Sequence, residues 1–107
     1  MNLRFATHSI RVRVTSDEFA QLRVGKPMGL EVPLPHGHLF RAKVNMAANG
    51  DWHFDSDPTG MWISVPRNEL DNLAQGLPNK EGIAHAFNTH HGELQVSFEV
   101  DVKPVAA

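Results

Sequence analysis

Residues 9–22 read SIRVRVTSDEFAQL, and a shorter copy, MWISVPRNELDNL, returns at residues 61–73. At an offset of 51 positions Val14 falls on Val65, Glu18 on Glu69, Phe19 on Leu70 and Leu22 on Leu73. Within the first copy Ile10, Val12 and Val14 alternate with Arg11 and Arg13, the period of a half-buried strand with its arginines outward. Thr15 and Glu18 then have the spacing of a capping box, in which hydroxyl and carboxylate satisfy the free amides of a helix start. Phe19 and Leu22 face inward at helical spacing, Gly25 ends the helix and Pro27 prevents its return. Each copy continues with an extended run, a His-Gly turn and another extended run. The pattern is that of a duplicated β-α-β-β unit, with pseudo-repeats at about 8–56 and 61–102.

Before the first copy, Leu3 and Phe5 alternate with polar neighbours, and Ala6-Thr7-His8 breaks the run. After it, Met28, Leu30, Val32 and Leu34 alternate, and Pro33 assigns this strand to an edge because proline donates nothing to a ladder. Phe40, Ala42, Val44 and Met46 point inward, with Arg41 and Lys43 outward. Asn49-Gly50 signals a hairpin, since both residues tolerate positive φ. Trp52 and Phe54 extend that meander to a turn at residues 57–60. In the second copy Pro66 suits the first turn of a helix, Leu70, Leu73 and Ala74 form its inner stripe, and Gly76 and Pro78 stop it. Ile83, His85 and Phe87 then share one strand face. Leu94, Val96, Phe98, Val100 and Val102 alternate along the longest strand, ahead of Pro104 and a frayed tail at 105–107.

These readings give an α+β fold in a single globular domain, 1–104, with two short helices on a mostly antiparallel sheet or open barrel. Arg11 and Arg13 are expected opposite Glu99 and Asp101. The chain of 107 residues has no cysteine, which excludes disulfides, thiolate catalysis and cysteine metal sites. A net charge of −2 sets up no field for nucleic acid or a membrane surface. The N-terminal residues have no apolar core of a signal peptide, and no run is long enough for a membrane helix. A cytoplasmic protein is expected.

At SIRVRVTSDEFAQL the chain resembles a family of small bacterial proteins of unknown function. Their N-termini read Asn-Ser-Ile-Arg-x-Arg-Leu-Thr before a short acidic helix. The matching residues are Ser9, Ile10, Arg11, Arg13, Thr15, Glu18 and Leu22, followed by Val65-Pro66 opening a helix, Gly82-Ile83, and a last strand keeping Glu99 and Asp101. His8 stands where that family has Asn, and Pro104 lies about where it has Cys. The resemblance implies a domain of unknown function and carries no activity.

Seven histidines are the compositional oddity. His36, His38, His90 and His91 sit on the two turns the repeat makes equivalent. Brought to one end with Glu93, they would offer imidazole ligands for zinc or copper. Against this stands the plain reading of solvated turn residues. His85 falls between Ile83 and Phe87 on the core face, as a rim histidine or a cavity lining. Asp51, His53, Asp55 and Asp57 alternate on one face, either a hard-cation site or a wet hairpin face. The order of elements is also loosely similar to that of vicinal-oxygen-chelate enzymes, for which His8, His85 and Glu99 would be the metal ligands. No phosphate loop, HExxH or nucleophile elbow is present. The sequence points to a non-enzymatic module that binds a protein or small ligand and pairs with itself through an exposed strand edge. A histidine-dependent metal protein or small metalloenzyme is the alternative.

Overall fold

The computed structural model describes residues 1–48, 50–77 and 81–101. The strands are β1 (Asn2–Ala6), β2 (Ser9–Thr15), β3 (Met28–Pro33), β4 (Leu39–Ala47), β5 (His53–Asp57), β6 (Gly60–Pro66), β7 (Ile83–Thr89) and β8 (Gly92–Asp101). Helix α1 (Ser16–Arg23) lies between β2 and β3, and α2 (Arg67–Gln75) between β6 and β7. The α+β class holds, with eight strands in two four-stranded sheets, ordered β1-β2-β8-β7 (sheet A) and β3-β4-β6-β5 (sheet B). The sheets do not close into a barrel.

Both sheets are built alike. The outer pairs are antiparallel hairpins, and the two central strands, β2 with β8 and β4 with β6, run parallel. Sheet A joins the first hairpin to the last, whereas sheet B joins the two middle hairpins. The registers match too: Val12 lies beside Phe98 in one sheet and Ile63 beside Val44 in the other. The repeating pattern is therefore hairpin-helix-hairpin, one strand longer than the β-α-β-β unit expected from sequence. The missing strand is β5, assigned to the end of the first repeat but paired with β6, as β1 is with β2.

The Asn49-Gly50 hairpin is corrected for the same reason. Asn49 lies outside the described residues, but the flanking strands β4 and β5 are not partners, because β6 is inserted between them. A turn dipeptide reports backbone freedom and does not choose which strand will be the neighbour. Pro78, Val102, Pro104 and the tail at 105–107 also lie outside the described residues.

The core is drawn evenly from both sheets and both helices. Val12, Val14, Val96 and Phe98 come from sheet A, Val44, Ile63 and Val65 from sheet B, and Phe19, Leu22, Leu70 and Leu73 from the helices. Val14 and Val65, the residues on which the repeat was aligned, are 1% and 0% exposed. Alternation predicts most of this, since one face of each central strand is continuous with the interior. It fails near strand ends: Phe5, Val32 and Leu34 are exposed.

The first helix end is built as expected. Thr15 and Glu18 form the capping box, with Glu18 N donating to Thr15 Oγ1 at 3.1 Å and Thr15 N to Glu18 Oε1 at 2.9 Å. At its other end Gly25 adopts φ +91°, Gly25 N donates to Leu22 O and Lys26 N to Gln21 O, a Schellman closure. Pro66 does not occupy the first turn of α2; it is the N-cap and makes no side-chain capping bond. On the outer face of sheet A the expected ion pairs are present. Arg11 holds Glu99 through two bonds of 3.1–3.2 Å, and Arg13 reaches Asp101 at 3.3 Å. Both run diagonally, because Arg13 is level with Glu99 and Thr15 with Asp101. Such pairs are worth about 0.2–1 kcal/mol each, so they fix register more than they stabilise.

Candidate functional site: an aromatic notch beside an open strand edge

Strand β7, IAHAFNT, is an edge of sheet A, and its alternation turns Ile83, His85 and Phe87 toward the interior. Across from it stands β5, an edge of sheet B, preceded by the buried Trp52. Four rings join these two edges. Trp52 stacks on His85 with centroids 5.8 Å apart and planes at 12°. His85 meets Phe87 edge-on at 4.7 Å, and Phe87 meets Phe54 at 5.8 Å and 62°. Offset and edge-to-face pairs of this kind add about 0.5–1.5 kcal/mol each beyond burial. The Trp52 indole N–H donates to the Glu69 carboxylate on α2, so the notch is also tied to a helix start. Of the two readings of His85, the structure gives the rim one: half-buried, held by rings, on the sheet margin.

Among the described residues no strand pairs with the outer edge of β7, and its side chains do little to guard it. Its seven residues include no Asp, Glu, Lys, Arg or Pro. The other three edges are protected: β1 by Arg4, β3 by Glu31 and Pro33, β5 by Asp55 and Asp57. An uncharged edge strand offers its free N–H and C=O groups to any incoming strand.

No family model matches the chain, and no curated protein matches it in sequence.

The other candidates from sequence are scattered. His36 and His38 flank the tip of β3–β4 in sheet B, whereas His90 and His91 form the β7–β8 turn in sheet A, and all four are exposed. His36 is in the left-handed region at φ +67° and belongs to a short 3₁₀ turn, residues 35–37. Among the described residues no group of three or more His, Asp or Glu is placed to hold a metal ion. His8 is an exposed turn residue. His85 sits level with Val96 on the inner face of sheet A, while Glu99 is on the outer face with Arg11, so the vicinal-oxygen-chelate triad does not assemble.

Asp51, His53, Asp55 and Asp57 form an exposed stripe. Asp57 has a structural task there: its Oδ1 accepts from Thr59 N at 2.7 Å and Thr59 Oγ1 at 2.6 Å, closing the β5–β6 turn. Those bonds from Thr59 hold its pKa below the usual Asp range. Among the described residues no helix is long and apolar enough to cross a membrane.

Proposed function

We propose that the protein is a non-enzymatic binding module of the cytoplasm that pairs with a second copy of itself through β7. The observation that carries this is the contrast among the four sheet edges, of which β7 alone has neither charge nor proline. Antiparallel pairing of two β7 strands about a twofold axis would give an eight-stranded sheet, with Ala84 and Ala86 leaving its outer face flat. The inner neighbours His85 and Phe87 are already held by Trp52 and Phe54, so the edge is presented on a rigid support. We further infer that an ancestral hairpin-helix-hairpin was duplicated, as the matched registers and the offset of 51 suggest, and that the kinship is with small bacterial proteins of unknown function.

Size-exclusion chromatography with light scattering tests the pairing. A dimer is expected for the unaltered chain, and Ala86→Lys, which sets like charges near each other across the axis, is expected to return it to a monomer. A chain that is strictly monomeric at high micromolar concentration overturns the self-pairing.

A further inference from the structure

The outer face of sheet B carries a depression that the edge of sheet A does not explain. The registers place Gly29, Lys43, Trp62 and Asp55 in one row across the four strands, and Glu31, Arg41, Gly60 and Asp57 in the next. Gly29 is the gap in this face. A side chain there would begin 2.9 Å from the Ala42 carbonyl oxygen and fill the space beside Lys43. The resulting hollow, about 420 Å³, is lined by Gly29, Glu31, Arg41, Lys43 and Trp62, within the size range of small-molecule sites.

A half-buried tryptophan on an outer sheet face has a flat apolar surface available to another ring. The corresponding position in sheet A, level with the partner strand in the same way, is Arg11, already engaged with Glu99. The charges beside Trp62 are less committed. Among the described residues Lys43 has no carboxylate partner, and Arg41 meets Glu31 only at 3.6 Å with both side chains more than half exposed. Two cations on the central strand β4 therefore flank the ring, and the carboxylates Asp55 and Asp57 lie on the far side, along β5. That polarity suits a ligand whose anion sits toward β4 and whose hydrogen-bond donors point toward Asp55.

We propose that this face binds a small molecule made of a planar aromatic ring and an anionic group, the ring stacked on Trp62 and the carboxylate or phosphate held by Lys43 and Arg41. This site is on the opposite sheet from β7, and it stands or falls independently of self-pairing.

The two tryptophans give two indole N–H signals in a proton–nitrogen NMR spectrum, and the Trp52 signal is an internal control. Titration with indole-3-acetate and with adenosine 5′-monophosphate separates a carboxylate from a phosphate ligand. Inorganic phosphate lacks the ring, and adenosine lacks the charge. Saturable movement of the Trp62 signal with either ring-bearing anion is expected, at least tenfold weaker with adenosine or phosphate. Lys43→Gln, an exposed substitution that leaves the fold intact, is expected to weaken the binding at least tenfold, and Gly29→Val to abolish it. Absence of saturable movement at millimolar ligand overturns the proposal. So does binding that Lys43→Gln leaves unchanged, or phosphate alone binding as tightly as the ring-bearing anions.

Discussion

Glu18 and Glu69 occupy the same place in the two halves, the third residue of a short helix that follows a central strand, yet they hold different partners. Glu18 accepts Thr15 N with one oxygen and the Met1 amino group with the other, at 2.9 and 2.7 Å. Glu69 follows Pro66, which has neither an N–H to give back nor a hydroxyl to cap with. Its carboxylate is thus released from capping and accepts the Trp52 indole instead. One proline converts a helix cap into an anchor for an aromatic side chain, and the aromatic notch exists in one half only. By the offset of 51 Met1 stands in the position of Trp52, and Leu30 is placed in β3 as His85 is in β7. The first half is aliphatic where the second is aromatic.

The deepest test of this comparison is whether the helices matter equally. Leu22→Ala and Leu73→Ala, at 0% and 2% exposure, are expected to cost about 2–5 kcal/mol each in urea unfolding. A loss below about 1 kcal/mol at one site beside a full loss at the other would break the equivalence of the halves. A smaller effect isolates the aromatic anchor. Trp52→Phe keeps a ring against His85 but removes the bond to Glu69. It is expected to cost about 1.5–3 kcal/mol, the worth of a hydrogen bond to a charged group. A neutral result would mean that the carboxylate is held by something else.

The smallest effect lies at Glu18 and sharpens the comparison through pH. Burial pushes its pKa up, but the Met1 amino group and the Thr15 bonds outweigh that, and the net shift is downward from 4.5. A carboxylate with a depressed folded pKa contributes stability that is present above its unfolded value and lost as pH falls through the folded one. Unfolding midpoints from pH 7 down to pH 3 should therefore drop less steeply in Glu18→Gln than in the unaltered chain. Identical slopes would show that the capping carboxylate adds nothing to acid sensitivity.

Much of the architecture was readable from residues alone. Alternation marks the inward faces of β2 and β8, the repeat carries Val14 onto the buried Val65 of β6, the capping box places α1, and charge matches Arg11 and Arg13 to Glu99 and Asp101. What alternation cannot carry is partnership. Val44 and Ile63 look the same whether their strands are neighbours or not, so the insertion of β6 between β4 and β5 left no mark, and Asn49-Gly50 pointed to the wrong neighbour. The notch was half legible. His85 stood out as polar on an apolar face, but Trp52 precedes its strand and shares no period with it. Gly29, Lys43 and Trp62 are ordinary residues until the registers set them in one row.

The wiring of the sheets also orders events during synthesis. All four strands of sheet B are contiguous in the chain and leave the ribosome before β7 and β8 exist. Sheet A begins with a hairpin that must wait, its inner edge uncovered, until β8 arrives to lie parallel to β2. Parallel closure over so long a span is slow, and a stalled or truncated nascent chain would expose the Ile10-Val12-Val14 face to its neighbours. Sheet A is thus complete only once residues 83–101 have emerged and β8 has docked beside β2.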